Sequence, residues 1–191
     1  SLAVMSQSDR AKQAAWLPQV REIAWGLSVR DLVGLGRLPF GPIQKNDRHV
    51  EAAIIEMELT AFSDRIATQL SGGEQARALI ARALAQDTPI LMADEPTASL
   101  DPANQISTLK IFSELAQTGR GIIASIHDLG LAARYCTKLA LLDRGKLVAF
   151  GSADAVLTPD NLRTVFSIEA HYEKTKEGII FQPLSVLKKS N

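Results

Sequence analysis

The stretch LSGGEQARALIARALAQDTPILMADE, residues 70–95, decides the fold of this chain. Its first part predicts a helix, because Ser71 and Glu74 have capping-box spacing and an alanine-rich run follows until Pro89. Residues 90–93 form a continuous apolar run, which is typical of a strand buried on both faces of a parallel sheet. A helix that leads directly into such a strand predicts an α/β fold.

The alternation of helix and strand continues on both sides of this stretch. Upstream, the patterns predict a polar helix over residues 8–13, a strand over 14–17 that ends at Pro18, and a helical region over 20–70 in which Ser28 and either Asn46 or Asp47 begin helices. Downstream, they predict a helix over 105–115, a second buried strand over 121–126, a helix over 129–135, a third strand over 139–142 with a hairpin turn into 147–150, and a tail with a short helix and an edge strand near 179–181. This order favours a parallel sheet.

The composition is that of an ordinary folded protein. Of the 191 residues, 46% are hydrophobic and 22% are charged, which excludes a disordered, collagen-like or coiled-coil chain. Lys and Arg together number 21, as do Asp and Glu, and this zero balance argues against a broad nucleic-acid-binding surface. The single cysteine, Cys136, cannot form an internal disulfide and predicts a reducing compartment.

Two adjacent carboxylates, Asp94 and Glu95, follow the apolar strand. Functional groups of parallel sheets lie at the carboxyl ends of the strands, and an unpaired charge buried there costs several kcal/mol. Because neighbouring strand residues point to opposite sides, we expect Asp94 to face a hydrated Mg²⁺ and Glu95 to face a water nucleophile. The same pair also fits a strand end that runs into a polar turn.

Ser71, Gly72 and Gly73 are a candidate phosphate site. Two glycines allow the backbone to approach a ligand closely, and the helix that follows offers unpaired N–H groups and the positive end of its dipole. Helix capping, worth about 1 kcal/mol, is the alternative reading. It explains Ser71 and Glu74 but not the two glycines.

Three further polar residues are candidates by position. Gln19 follows the strand predicted over 14–17 and His127 follows the strand predicted over 121–126, while Asp101 precedes a predicted helix. Taken singly, each also fits a structural role: a loop residue, a solvated histidine at a strand end and a helix N-cap.

In this order the segments resemble the motifs of the nucleotide-binding subunit of ATP-binding-cassette (ABC) transporters. The matching segments are LSGGEQ at 70–75 (signature motif), ILMADE at 90–95 (Walker B strand), SLD at 99–101 (D-loop), His127 (switch histidine) and Gln19 (Q-loop). The resemblance implies an α/β fold with a P-loop NTPase (RecA-like) parallel sheet core, incomplete at the N-terminus, and an α-helical signature subdomain. The implied subdivision is 1–19 (partial core ending at the Q-loop), 20–86 (helical subdomain), 87–159 (core with Walker B, D-loop and H-loop) and 160–191 (C-terminal helix and edge strand).

The resemblance also implies roles for these residues, with ATP and Mg²⁺ as cofactors. Glu95 and His127 would be catalytic, and Asp94 and Gln19 would hold the metal. The residues implied to contact nucleotide are Gln19, Ser71, Gly72, Gly73, Glu74 and Asp101. Two subunits would pair head to tail, so that the signature residues of one meet the ATP held by the other.

The phosphate-binding loop of the family, G-x-x-x-x-G-K-[ST], is absent from these residues. Gly36 and Gly41 have the right spacing, but Pro42 stands where the lysine is required. We therefore expect the chain to be a fragment that begins after the phosphate-binding loop. Taken alone, it is expected neither to bind ATP tightly nor to hydrolyse it.

The segments LGRLPF at 35–40 and SIHDL at 125–129 resemble those of subunits that serve iron-siderophore, haem and cobalamin importers. The resemblance implies a peripheral ATPase subunit on the cytoplasmic face of the inner membrane, which works with transmembrane permease subunits, indirectly with a substrate-binding protein, and with no nucleic acid. The alternatives are a non-transport ABC ATPase and a non-catalytic binding or regulatory module. The short segment between Gln19 and Leu70 leaves no room for the long coiled coil of DNA-repair relatives and favours a transporter.

Overall fold

The computed structural model describes residues 4–19, 22–23, 26–44, 46–176 and 178–187. They divide into two compact units, Ser1–Ser125 and Ile126–Asn191. The finer subdivision at 19, 86 and 159 stays a prediction. Within the region predicted to be helical, positions 20, 21, 24, 25 and 45 lie outside the described residues. None of the helices described is both long and apolar enough to cross a membrane.

The first unit contains a parallel three-stranded sheet, as predicted, whose strands in spatial order are β1 (Ala14–Leu17), β2 (Ile90–Ala93) and β3 (Gly121–Ala124). One face of the sheet is buried, and on it Ala15 of β1 pairs with Leu91 of β2. On the other face, Trp16 and Ile123 flank Met92 and are 52% and 58% exposed. The prediction that β2 and β3 are buried on both faces is therefore wrong for the described residues, because an apolar run does not reveal how many of its faces are covered.

Helices form the rest of the first unit. They are α1 (Gln7–Gln13), α2 (Val29–Gly34), α3 (Arg48–Glu56), α4 (Gly72–Ala85) and α5 (Pro102–Gln117), with 3₁₀ turns at Leu35–Phe40, Thr60–Phe62 and Ala67–Gln69. The predicted N-caps of α2, α3, α4 and α5 are confirmed, since the side chains of Ser28, Asp47, Ser71 and Asp101 each accept a backbone N–H. Helix α5 begins earlier than the predicted position 105, because Pro102 is well suited to the first turn.

The packing of the first unit centres on α4, whose buried side chains are mostly alanine and leucine. The chain after α2 comes so close to α4 that a Cβ at Gly36 would lie 2.1 Å from the Arg82 carbonyl oxygen. The neighbouring Arg37 guanidinium donates to the carbonyl of Ala85 and pairs with Asp47, each at 3.1 Å. These contacts hold the LGRLPF segment against the C-terminal end of α4.

The second unit contains two antiparallel hairpins and short helices. Its elements are α6 (Leu129–Tyr135), β4 (Leu139–Asp143), β5 (Lys146–Gly151), α7 (Ala153–Val156), α8 (Pro159–Asn161), a π-helical turn (Leu162–Phe166), β6 (Ile168–Thr175) and β7 (Gly178–Val186). The predicted β4–β5 hairpin is confirmed. The tail holds two strands where one edge strand was predicted, because the alternating burial of β6 is a weaker sequence signal than an apolar run.

Candidate functional site

The carboxyl edge of the three-stranded sheet collects polar residues from three separate parts of the chain. Gln19 follows β1, Asp94 and Glu95 follow β2, and Ser125 follows β3. The Asp94 amide donates to the Leu17 carbonyl at 2.9 Å, which continues the sheet pairing by one residue. Parallel pairing thus brings the predicted metal and catalytic residues of this unit to one edge.

Gln19 and Glu95 are in direct contact although 76 positions separate them in the sequence. The Gln19 Nε2 atom donates a hydrogen bond to Glu95 Oε2 at 2.6 Å. Glu95 is partly buried and Gln19 is exposed. The contact ties the residue predicted as general base to the loop that follows β1.

Glu95 does not continue the strand, contrary to the expectation that it and Asp94 point to opposite sides as strand neighbours. Strand β2 ends at Ala93, and Glu95 has a φ of 44°, in the left-handed region. This conformation costs a non-glycine residue on the order of 1 kcal/mol and persists where surrounding contacts hold it. The turn, and not the pleat of the strand, therefore separates the two carboxylates.

Ser125 is a site residue that the sequence reasoning missed. Its hydroxyl donates to Asp94 Oδ1 at 2.7 Å and accepts a hydrogen bond from the Glu95 amide at 2.8 Å. The sequence carried no signal for this contact, which follows from the strand register: Ala93 pairs with Ala124, so the next residues of the two strands, Asp94 and Ser125, are neighbours.

The residues at this edge fit a magnesium ion. Asp94 Oδ1 accepts from Ser125, no described residue donates to Oδ2, and the Gln19 amide oxygen is a further oxygen donor. Among the residues that the structure describes, no three His, Cys, Asp or Glu side chains form a metal-holding group. Mg²⁺ bound with nucleotide takes one or two protein oxygens and completes its shell with water and phosphate, so a sparse donor set suits it.

The Ser71 corner at the start of α4 is exposed, and its capping box is complete. The Ser71 amide and hydroxyl both donate to Glu74 Oε2 at 2.8 Å. The hydrogen bond from the hydroxyl, and then that from the amide, lower the pKa of the Glu74 carboxyl. The Glu74 carboxylate therefore has a structural role as part of the N-terminal cap of α4.

The two glycines of the corner differ in their surroundings. A Cβ at Gly73 would lie 2.5 Å from Asn104 Oδ1, so close packing against α5 accounts for this glycine. A Cβ at Gly72 would meet no heavy atom within 4 Å. Of the pair, Gly72 is therefore the one whose backbone is open to a ligand.

Asp101 caps α5, and its hydrogen-bond partner Asn104 packs against Gly73 at the Ser71 corner. Its Oδ1 accepts from the Asn104 amide at 3.0 Å, and its Oδ2 accepts from the Asn104 side chain. The bonds from the Asn104 amide and then from its side chain lower the pKa of Asp101. The predicted signature and D-loop segments are thus adjacent in the first unit.

A cleft of about 300 Å³ lies between these segments, lined by Gln19, Gly72, Gln75, Ala76, Ala98, Ser99 and Leu100. It joins the loop after β1, the first turn of α4 and the loop before α5. His127 lies in the second unit, where it is exposed, and its switch role stays a prediction.

Comparison with known proteins agrees with this arrangement. The family described as "ABC transporter" matches residues 3–98. The chain is 39% identical to the "Hemin import ATP-binding protein HmuV" of Pseudomonas putida, over 94% of this chain and 74% of that protein. It is 41% identical to the "Cobalamin import ATP-binding protein BtuD" of Halobacterium salinarum, over 85% of this chain and 42% of that protein. It is also 41% identical to the "Iron(3+)-hydroxamate import ATP-binding protein FhuC" of Bacillus subtilis, over 87% of this chain and 64% of that protein.

Solved structures show the same fold. A chain of a "putative metal-chelate type ABC transporter" in an inward-facing conformation matches with a TM-score of 0.78 and 29% identity, over 93% of this chain and 73% of that one. The ATP-binding cassette MJ0796, solved as a dimer bound to ADP and Pi, matches with a TM-score of 0.66 and 22% identity, over 78% of this chain and 68% of that one.

Proposed function

The chain belongs to the ABC transporter family, and from this premise we propose that it acts in the ATP-hydrolysing subunit of an importer for metal chelates of the siderophore, haem or cobalamin type. Relatives named for haem, cobalamin and iron-hydroxamate import support this cargo class. The observation that carries the ATPase proposal is the Gln19–Glu95 hydrogen bond beside Asp94 at the carboxyl edge of the parallel sheet.

The proposed chemistry is the attack of water on the terminal phosphate of ATP, with Glu95 as the general base. Gln19 holds the Glu95 carboxylate and orients it toward the water. Asp94 and the Gln19 amide oxygen would hold Mg²⁺, which when bound would neutralise charge on the phosphates. In such reactions the protein forms no covalent bond to the substrate. Positioning of the reactants and neutralisation of charge supply most of the rate enhancement.

A second copy of the subunit completes the site in this proposal. Ser71 and Gly72 are exposed, and the open space at Gly72 would let its backbone approach the γ-phosphate of ATP held by the partner. Gly73, Glu74 and Asp101 support that corner, and His127 would contact the same phosphate. The dimeric state of the MJ0796 cassette supports a pairing of this kind.

The remaining partners are those of an importer. We infer that the subunit binds transmembrane permease subunits at the cytoplasmic face of the membrane and works indirectly with a substrate-binding protein. The match to a metal-chelate type transporter supports this assembly.

Glu95→Gln, made in the protein as the cell produces it, tests the proposal. Loss of the general base should lower kcat for Mg-ATP by about 10²- to 10⁴-fold while nucleotide binding is retained. Glu114→Gln is the matched control, since the Glu114 side chain is 60% exposed on α5 and pairs with Lys110. Normal turnover in the Glu95→Gln protein would refute the role given to Glu95.

A further inference from the structure

The hydroxyl of Ser125 joins two groups that the proposed function assigns to different tasks. It donates to Asp94 Oδ1 at 2.7 Å and accepts from the Glu95 amide at 2.8 Å. The Ser125 amide in turn donates to the Ala93 carbonyl at 3.0 Å, which anchors the serine backbone to β2. One oxygen atom thus contacts both the proposed metal ligand and the peptide that carries the proposed general base.

The backbone at Glu95 depends on such contacts, because its φ of 44° is unfavourable for a residue with a Cβ. Three of its hydrogen bonds hold the turn: the Glu95 amide donates to the Ser125 hydroxyl, the Ala98 amide donates to the Glu95 carbonyl at 3.0 Å, and Gln19 donates to the Glu95 carboxylate. Of these three, the contact from Ser125 is the one that also reaches Asp94.

We propose that Ser125 is a positioning residue for ATP hydrolysis, which couples the orientation of the Asp94 carboxylate to the backbone turn at Glu95. By occupying Oδ1, it leaves Oδ2 of Asp94 for the cation. By holding the Glu95 amide, it keeps the carboxylate of that residue within reach of Gln19. This inference rests on the function proposed above for Asp94 and Glu95.

The chemistry requires a group that donates and accepts at the same atom. A serine or threonine hydroxyl does both, whereas an alanine methyl does neither. Ser125 is exposed at the end of β3, and a β-branched residue is well tolerated next to a strand. Ser125→Thr should therefore keep the bridge, and Ser125→Ala should remove it.

Ser28 provides a matched control within the chain. Its hydroxyl makes the same pair of contacts, accepting from the Asp31 amide at 3.1 Å and donating to Asp31 Oδ2 at 2.6 Å. It caps α2 and belongs to no part of the candidate site. Ser28→Ala thus removes equivalent hydrogen bonds without touching Asp94 or Glu95.

Steady-state kinetics of the gene product as the cell makes it give the first test. Ser125→Ala should lower kcat by about 10- to 100-fold, as expected when reacting groups are misplaced by about 1 Å, with KM for Mg-ATP changed less than about threefold. It should also raise the Mg²⁺ concentration needed for half-maximal turnover. Ser125→Thr and Ser28→Ala should keep kcat within about threefold of the unmodified protein.

Amide hydrogen exchange at Glu95 gives a readout that is independent of turnover. Ser125→Ala should speed exchange of the Glu95 N–H by about tenfold or more, since the hydroxyl that accepts its hydrogen bond is lost. Ser125→Thr and Ser28→Ala should leave that exchange rate unchanged.

The outcomes separate this inference from the proposed function. If Glu95→Gln abolishes turnover while Ser125→Ala retains kcat within threefold, the positioning role is wrong and the ATPase function stands. If Ser28→Ala lowers kcat as much as Ser125→Ala, the effect is one of general stability and the inference is overturned. If the unmodified protein hydrolyses no ATP, the proposed function is wrong and this inference falls with it, even where Glu95 exchange responds as expected.

Discussion

Replacement of Gly73 by alanine is expected to leave the protein less stable than replacement of the adjacent Gly72 does. A Cβ at Gly73 would lie 2.5 Å from Asn104 Oδ1 and 2.6 Å from Asn104 Cγ and Nδ2. These distances are far inside van der Waals contact. A Cβ at Gly72 would have no heavy atom within 4 Å. Since both glycines lie in the first turn of α4, the contact with α5 is what distinguishes them.

The expected magnitudes follow from these distances. Gly→Ala at a compatible helical position stabilises by about 0.4–1 kcal/mol, chiefly by restricting the unfolded chain, and Gly72→Ala should show this gain. Gly73→Ala must also turn the Asn104 side chain away, which breaks the hydrogen bond from that side chain to Asp101 at a cost of about 0.5–1.5 kcal/mol. Because the gain from the unfolded chain is common to both variants, they should differ by about 0.5–1.5 kcal/mol, or roughly 1–6 °C in Tm for a protein of this size.

Urea unfolding, followed by far-ultraviolet circular dichroism and by tryptophan fluorescence, measures this difference. Trp16 reports on β1 of the same unit. Asn104→Ala removes all three clashing atoms, so Gly73→Ala made in that background should behave like Gly72→Ala. Equal stability of the two single variants, or a Gly73→Ala defect that persists without the Asn104 side chain, would refute this account of the paired glycines.

Two further predictions concern packing and titration. Gly36→Ala should lower the free energy of unfolding, measured in urea, by about 3 kcal/mol, because its Cβ would meet the Arg82 carbonyl oxygen, a backbone atom that cannot rotate away. Gly26→Ala is the control, since a Cβ at Gly26 would meet no heavy atom within 4 Å. Equal effects of the two substitutions would contradict the close packing of Gly36 against α4. Burial, and then the hydrogen bond to Asp154, raises the pKa of Tyr172 from 10.0 to about 12, so this group's contribution to stability is complete below about pH 10 and is lost as the pH rises toward 12. Phenolate absorbance in a Tyr135→Phe background should titrate near 12, and Asp154→Asn should lower that midpoint; an unchanged midpoint would show that Asp154 plays no part.

Local signals in the sequence were sufficient wherever a few neighbouring residues decide the structure. The capping box of Ser71 and Glu74 predicted the start of α4, and the apolar run before Asp94 predicted β2. The turn between β4 and β5 likewise predicted the hairpin that these strands form. The order of the motifs along the chain, and the number of residues between them, then indicated the family.

The candidate site could be predicted only in part, since its residues act across long sequence separations. Gln19 and Glu95 were each singled out, but their hydrogen bond was not. Ser125 gave no signal of its own, because a serine at a strand end is common. Capping did not explain Gly73 in the sequence, and the structure adds a packing reason, its contact with Asn104, while its role toward nucleotide stays a prediction.

The sequence by itself determined most of the segments that become helices and strands, though not β6, because caps, turn residues and apolar periodicity act within a few residues of one another. Only the tertiary structure decided which strands are neighbours, and hence that Ser125 bridges Asp94 and the Glu95 amide. It also decided that one face of the parallel sheet is buried while Trp16 and Ile123 on the other are exposed. The physical reason is that strand pairing and the covering of a face depend on contacts between distant parts of the chain, which no local pattern encodes.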